Sequence, residues 1–310
     1  MFNQIFTVIG PVFAMLVIGS VLKRIRLIDD DFIATASNLS FRLFMPALLF
    51  FSVFKADLGT AFQPRLIGFF YFATTLSFAI AWLWSLRRVP RRHRGVYVQG
   101  AFRGNCGVVG LALAASYYGD YGLSVGGVMA GMGVFLVNIL SVIILSTYSQ
   151  TFDAKILSVI KSIARNPLVI AVITGLIGSL LGLTLPEWVM ISGDYLVSLT
   201  LPLALISIGG SLSLHTLREG AGLALSASLM KVLVTPVLLV LLAIALGFSG
   251  RDLGMLFLFL ASPTAAVSYV MARAANGDEK LAANIIVIST LISVVTVLTG
   301  LVALTTWGKI

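Results

Sequence analysis

The stretch VYVQGAFRGNCGVVGLALAASY (Val96–Tyr117) decides the fold class, because it is a membrane-length hydrophobic segment interrupted in its middle. Residues 103–107, Arg-Gly-Asn-Cys-Gly, form the interruption. A second segment, LGMLFLFLASPTAAVSYVMA (Leu253–Ala272), is interrupted by Ala-Ser-Pro-Thr at 261–264. The pattern predicts two helices that are each broken at mid-membrane.

Composition places the rest of the chain in the same class. Of its 310 residues, 59% are hydrophobic and only 11% are charged, whereas soluble domains carry about 25% charged residues. Apolar runs of roughly 20 residues recur along the chain, and each is long enough to cross a bilayer. Strands of a transmembrane barrel would instead be about 10 residues long with alternating polarity. We therefore expect an all-α polytopic membrane protein without a soluble domain.

Ten membrane spans fit the apolar runs, and the first is interpreted as a span and not as a signal peptide. With ten alternating spans, fourteen Lys and Arg residues fall on one face and four on the other. Basic loops favour the cytoplasmic side, so both termini are predicted to lie on the non-cytoplasmic side. The predicted spans are 4–23, 33–54, 65–86, 95–117, 123–147, 166–184, 192–213, 221–246, 252–274 and 280–307.

Two spacings indicate an internal repeat. Gly19 precedes the proline of MPALLF by 27 residues, and Gly175 precedes the proline of LPLALI by the same 27. Asn105 and Pro263 each lie 15 residues before the aspartate of a Gly-Asp turn. The alternative is chance similarity between apolar helices, but that would not explain why the two breaks also correspond.

Each half of the chain holds five spans, and an odd number of spans inverts the second half relative to the first. The predicted domains are a first five-helix repeat at 1–149, a cytoplasmic linker at 150–165 and a second repeat at 166–310. Inverted repeats with paired broken helices are typical of secondary transporters, whose substrate sites lie near the bilayer midplane.

The residues at the breaks explain why the helices stop there. Gly107 lowers helix propensity, and Asn105 can hydrogen-bond its own backbone. Pro263 lacks an N–H, while Ser262 and Thr264 offer hydroxyls to the freed carbonyls. Backbone groups freed at mid-membrane must face protein, water or a ligand, and the half-helices that follow would favour an anion at their N-termini. The alternatives are a small-residue packing stripe in the first segment and a kinked, continuous helix in the second.

Charged residues deep inside the predicted spans are all cationic. Arg103 adjoins the first break, Arg42 lies in span 2 and Lys231 lies in span 8, whereas every Asp and Glu falls near a span end. Ionisable residues at membrane depth are rare and usually functional, so this pattern favours an anionic substrate. The alternative is that these side chains extend to the interface or brace loops.

Other polar residues in the spans are candidates for the site, among them Asn38 and Asn138, although simple interhelical hydrogen bonding is an equal alternative. No nucleophile–base pair, metal-ligand cluster, P-loop or dinucleotide motif occurs, so we expect neither an enzyme nor a cofactor or metal. The net charge of +9 is explained by orienting loops and does not indicate nucleic acid. A single cysteine, Cys106, precludes an internal disulfide.

These motifs resemble the auxin efflux carrier family in its compact prokaryotic form. One departure is Ala112, where the family usually has the proline of Gly-Leu-Pro. The resemblance covers essentially the whole chain and rests on MPALLF at 45–50, RGNCGVVGL at 103–111, NPL at 166–168, LPLA at 201–204, Lys231 before Pro236, and the region from SPT at 262–264 to NGD at 276–278.

The resemblance implies a scaffold of spans 1, 2, 6 and 7 that forms homodimers, and a moving transport domain of spans 3–5 and 8–10. Spans 4 and 9 would cross at their breaks, in the plasma membrane (the inner membrane of a bacterium). Family members move organic anions, such as malate or malonate in bacteria and auxin in plants. The short linker differs from the long loop of many plant carriers, so auxin itself is the weaker expectation.

The leading hypothesis is a secondary carrier of small organic anions. The alternatives are a sodium-coupled organic anion symporter of the bile-acid-carrier type and a non-transporting membrane receptor of the same fold. The residues predicted to bind substrate are Arg103, Asn105, Cys106, Gly107, Ser262, Pro263, Thr264, Asn38, Asn138 and Lys231.

Overall fold

The computed structural model describes residues 2–55, 62–149, 167–211 and 221–310, so the predicted linker at 150–165 lies outside the described residues. Within these ranges the regular elements are helices, three of them short π-helical segments. In chain order they are α1 (Phe2–Arg24), α2 (Asp30–Leu39), π1 (Ser40–Phe44), α3 (Met45–Phe54), α4 (Pro64–Arg88), α5 (Arg91–Phe102), π2 (Cys106–Gly110), α6 (Leu111–Tyr148), α7 (Pro167–Leu180), α8 (Glu187–Ser211), α9 (Ala221–Leu229), π3 (Met230–Val234), α10 (Thr235–Ala245), α11 (Gly250–Leu260), α12 (Val267–Ala274) and α13 (Glu279–Thr306).

Helices of membrane-spanning length confirm the predicted class of an all-α polytopic membrane protein. Among the described residues, six helical runs are long and apolar enough to cross a bilayer. Each of the ten predicted spans overlaps helix, but the count of ten stays a prediction. The six runs are Asp30–Phe54, Pro64–Arg88, Cys106–Tyr148, Glu187–Ser211, Ala221–Ala245 and Glu279–Thr306.

The boundary predicted between spans 4 and 5 is a kink inside α6. Gly119 interrupts this 38-residue run with φ 56° and ψ −133°. That backbone conformation is readily accessible to glycine but strained for residues with a side chain. The predicted Tyr-Gly-Asp turn is therefore present as one non-helical residue, and the chain folds back there, since a Cβ on Gly122 would collide with the carbonyl oxygen of Ala114.

Two π-helical segments lie where the sequence predicted unbroken helix. Each is followed by a proline at the second position of the next helix, Pro46 after π1 and Pro236 after π3. A proline ring clashes with the carbonyl four residues earlier and lacks an N–H, and a wider turn relieves both problems. The predicted spans 2 and 8 are thus helical throughout, but each changes its register once.

Glycines bring two pairs of helices into close contact. A Cβ on Gly19 of α1 would collide with the carbonyl oxygen of Ile206 in α8. A Cβ on Gly175 of α7 would lie 2.8 Å from the carbonyl oxygen of Phe50 in α3. Close backbone approach at small residues is a common way for membrane helices to associate.

The two broken segments lie within a group of packed helices. Helices α4, α5, α6, α9, α11 and α13 pack on one another around the breaks. Residues 95–102, which lead into the first break, are all buried, and so are residues 253–260, which lead into the second. The interruptions therefore lie inside protein and not against lipid.

Candidate functional site

The first break is three residues long and follows α5. Arg103 is extended, with φ −77° and ψ 92°, and Asn105 has φ −82° and ψ 56°. Helix resumes at π2, where the N–H of Gly110 donates to the carbonyl of Asn105 at 3.0 Å. The break forms although position 112 is alanine, because Gly104 and Asn105 tolerate the non-helical backbone.

The second break follows α11 and contains Pro263. The Ser262 hydroxyl donates to the carbonyl of Phe259 at 2.7 Å, and the Thr264 hydroxyl donates to the carbonyl of Gly100 at 2.8 Å. Ser262 thus satisfies a carbonyl of its own helix, as predicted, whereas Thr264 satisfies a carbonyl of α5. Both side chains are buried and engaged with backbone, which makes them supports of the breaks.

The two breaks contact each other through their backbones. Gly104 and Thr264 form an antiparallel bridge. The N–H of Asn105 donates to the carbonyl of Pro263 at 2.7 Å, and the N–H of Ala265 donates to the carbonyl of Arg103 at 3.0 Å. Polar groups freed in one helix are thus satisfied by the other, as the interior of a membrane requires.

A third helix fixes the geometry of this crossing. The N–H of Thr264 donates to the hydroxyl of Ser289 on α13 at 3.0 Å. The close contact between the breaks also depends on Gly104, because a Cβ there would lie 2.7 Å from the hydroxyl oxygen of Ser262. A larger residue at this point would have to displace the Ser262 hydroxyl or the end of the Lys231 side chain.

A small cavity of about 10 Å³ lies beside the crossing. A cavity of this size suits about one water molecule. Lys231 is the one charged residue that lines it within the described part of the chain. The lining residues are Phe70, Thr74, Ser77, Phe102, Gly104, Cys106, Val137, Lys231, Phe259 and Leu260.

Lys231 reaches the crossing from π3. Its side chain is 3% exposed, and its ammonium donates to the carbonyl of Leu260 at 2.6 Å. The Nζ atom also lies near the first break, since a Cβ on Gly104 would be 3.1 Å from it. An ammonium has three donors, so one carbonyl does not exhaust its hydrogen-bonding capacity.

Arg103 is also buried, but it is not one of the residues that line the cavity. One terminal nitrogen donates to the hydroxyl of Ser141 at 2.8 Å and to the carbonyl of Val137 at 3.2 Å, and the other donates to the Asn138 side-chain oxygen at 2.7 Å. These acceptors all lie on α6. Arg103 and Asn138, both predicted to bind substrate, therefore bind each other and brace the end of α5 against α6.

The other predicted residues divide between the crossing and the surface. The Cys106 thiol lines the cavity and donates to the carbonyl of Phe259 at 3.5 Å. Asn105 is 8% exposed at the crossing, and Gly107 lies in π2, where a Cβ would meet Met45 at 3.6 Å. Asn38 is exposed on α2, which packs against α8, so the structure does not bring it to the cavity.

Residues of α4 complete the cavity, and the sequence analysis missed them. Thr74 and Ser77 are 5% and 4% exposed and line the cavity together with Phe70. A signal was present, because two hydroxyl residues three apart lie on one helix face within a mostly apolar span. Their span contains no interruption, whereas the prediction of site residues started from the two interrupted segments.

A comparison with protein families decides the identity. Residues 4–299 match the model of the family described as membrane transport protein. The chain belongs to this family, that of the auxin efflux carriers, and it is a multi-pass membrane transporter. The predicted family resemblance is confirmed.

Two archaeal relatives cover nearly the same length. One from Methanothermobacter thermautotrophicus is 28% identical over 287 residues, which are 92% of this chain and 93% of the relative. Another from Methanocaldococcus jannaschii is 23% identical and spans 96% of both chains. Both carry the name uncharacterized transporter.

Proposed function

We propose that the protein is a secondary carrier that moves small organic anions by alternating access, with the anion at the crossing of the two breaks. The observation that carries this proposal is Lys231, a buried cation on the cavity wall. None of the ion pairs among the described residues includes it. A buried charge without a partner of opposite sign is costly, and an anionic substrate would supply that partner.

The cavity walls support an organic anion over an inorganic one. Phe70, Phe102 and Phe259 offer apolar surface, while Thr74 and Ser77 offer hydroxyls. Substrate sites commonly combine such apolar walls with a few polar groups that fix orientation. Because one cation lines the cavity, monocarboxylates, including auxin-like acids, are the first substrates to test. Malate and malonate are the dicarboxylates for comparison.

The cavity size supports alternating access. A space of about 10 Å³ does not admit a carboxylic acid, so binding would require the walls to separate. We propose that α4–α6 and α9–α13 move together as the transport domain against a scaffold of α1–α3, α7 and α8. This arrangement corresponds to ten spans in two repeats, 1–149 and 166–310.

The close helix contacts support the inverted repeat. Gly19 contacts the backbone four residues after Pro202, and Gly175 contacts the backbone four residues after Pro46. Each repeat thus supplies a glycine that meets the equivalent position of the other repeat. Such reciprocity is expected for two halves related by a two-fold axis.

The membrane location and the oligomeric state of the carrier are also part of the proposal. We place it in the plasma membrane, the inner membrane of a bacterium, with both termini on the non-cytoplasmic side. Homodimers would form through the scaffold, where α7 and α8 expose large apolar side chains such as Ile177 and Trp188. Lipid would cover the same surfaces in a monomer.

Transport by purified protein in proteoliposomes tests the function. We expect uptake of at least one radiolabelled carboxylate by the parent protein, and a loss of about tenfold or more in Lys231→Gln, since removing one partner of a buried charged contact costs at least about 2 kcal/mol. Asn105→Ala should also lose transport. Lys309→Gln, which removes an exposed cation near the C-terminus, is the matched control.

Three results would contradict the proposal or redirect it. Full activity in Lys231→Gln would remove the anion from this site. Uptake that requires sodium would favour the symporter alternative, and carboxylate binding without flux would favour a receptor. Sodium-free buffers and equilibrium binding on the same preparation separate these outcomes.

A further inference from the structure

A second cavity lies far along α4 from the crossing, at the beginning of that helix. It is an open groove of about 450 Å³ between the first turns of α4 and the end of α10. The groove is open to the surroundings along its length, which suits a ligand that lies along the protein surface. The groove shares no lining residue with the cavity at Lys231.

The turn after α10 builds one wall of the groove. Gly247 has φ +81°, and the N–H groups of Gly247 and Phe248 donate to the carbonyls of Ile244 and Ala243, both at 3.0 Å. This pair of bonds is a Schellman motif, which ends the helix and requires the left-handed residue. The motif fixes the Phe248 ring against Phe69 of α4, with ring centroids 5.0 Å apart.

A cation stands at one end of this apolar groove. The Arg65 guanidinium lies 4.5 Å from the centroid of the Phe248 ring and donates to the carbonyl of Leu246 at 2.6 Å. These contacts hold the guanidinium in place, and its five N–H donors exceed that one acceptor. Arg65 does not occur in the ion pairs of the described residues.

The floor of the groove is open along α4. A Cβ on Gly68 would meet no atom within 4 Å. Phe72, one turn further along the helix, is 52% exposed on the wall. Arg65 is the second residue of α4, so in a helix that crosses the bilayer its charge lies at the level of lipid headgroups, with the apolar part of the groove deeper.

We propose that this groove binds one anionic phospholipid, with the phosphodiester on Arg65 and an acyl chain over Gly68 between Phe69 and Phe72. Charge complementarity selects the headgroup, because a guanidinium fork matches phosphate oxygens. The aromatic walls and the open glycine floor accept the chain. The site is independent of which anion the carrier moves.

Native mass spectrometry of the purified full chain with added dioleoyl phosphatidylglycerol tests the site. We expect the parent protein to retain one lipid, and Arg65→Gln to lower its retention about fivefold, the effect of about 1 kcal/mol per basic residue. Gly68→Leu should lower it by a similar factor, because the new side chain fills the groove. Lys309→Gln should retain the lipid as the parent does.

Gly68→Leu is expected to keep the fold, because the space around Gly68 is open and leucine has the better helix propensity. Loss of lipid in this variant would therefore not be a result of misfolding. Four outcomes would overturn the proposal. The first is the absence of lipid on the parent protein, and the second is an equal loss of lipid in Arg65→Gln and Lys309→Gln. The third is unchanged lipid retention in Gly68→Leu. The fourth is competition by glycerol phosphate, which has no acyl chain, that equals competition by the intact lipid.

Discussion

Gly104 is the residue at which the two breaks come closest. A Cβ there would lie 2.7 Å from the Ser262 hydroxyl oxygen and 3.1 Å from Lys231 Cε and Nζ. Contacts under about 3 Å force something to shift, and the second break has little freedom because Thr264 is bonded to both α5 and α13. A single methyl group should therefore disturb the crossing and the cation together.

We expect Gly104→Ala to abolish or strongly reduce transport and to destabilise the protein by about 1–3 kcal/mol, the usual cost of overpacking. Gly222→Ala in α9 is the matched control, because its Cβ would meet no atom within 4 Å. Proteoliposome uptake and thermal unfolding of both variants give the comparison. Equal behaviour of the two alanine variants would show that the close approach at Gly104 is unimportant.

The different roles of the two buried cations could not be predicted from the sequence. Arg103 and Lys231 are both cations inside predicted spans, and nothing in the sequence separates their roles. The structure separates them through acceptors on α6, since Asn138 and Ser141 engage Arg103. Those acceptors are 35 and 38 residues away along the chain, so the pairing depends on tertiary packing that local patterns do not encode.

The helical elements were predictable to the extent that a residue type breaks a helix by itself. Pro263 and the glycines of the first break lead to interruptions at the predicted places. The π segments were missed, because Pro46 and Pro236 also occur in predicted spans but widen the turn and do not end the helix. Whether a proline breaks or only widens a helix depends on the neighbours that satisfy its freed carbonyl. At π3 the backbone N–H of Thr235 donates to the carbonyl of Met230 five residues earlier, and this wide-turn bond keeps the helix continuous up to Pro236.

The π3 segment orients Lys231, and Pro236→Ala tests this. Alanine restores the missing N–H and favours a regular α-helix, which should raise stability by up to about 3 kcal/mol. Removing the extra residue of the wide turn rotates the two parts of the helix by about 100° relative to each other. We therefore expect transport to fall about tenfold or more while the melting temperature stays the same or rises.

Pro202→Ala is the control for this element. Pro202 lies inside α8, which is continuous and carries no π segment. This substitution gives the same gain in helix propensity without moving Lys231, so transport should be kept. A parallel fall in both variants, or no fall in either, would contradict a role for π3 in placing the cation.

For the whole molecule, the closed state of the crossing is the main result that the sequence did not predict. Broken helices, their contact and the presence of a cation could be expected from composition and repeat spacing. The small size of the cavity at the crossing could not be expected, because it depends on side chains of α4, α5, α6 and α11 that meet only in the packed protein. A carrier that binds its substrate in this cavity must open it, and opening should be measurable.

Cys106 offers a direct measurement of that opening. It is the one cysteine of the chain, and its thiol lines the cavity. Alkylation by N-ethylmaleimide therefore reports on the site without any engineered label. We expect modification slower than that of a free thiol, because Cys106 is only partly exposed and the cavity of about 10 Å³ beside it is far smaller than the reagent.

A transported carboxylate should protect the thiol by occupying the opened site. At ten times its Kd, mass action leaves about one molecule in eleven unoccupied, so modification should slow about tenfold. Intact-mass spectrometry over time gives the rate, a carboxylate that is not transported serves as the control, and Cys106→Ser should give no adduct. A rate equal to that of a small free thiol would mean that the cavity is not closed. A rate that no transported anion changes would place the substrate elsewhere, because a ligand beside Lys231 must also cover the thiol on the same wall.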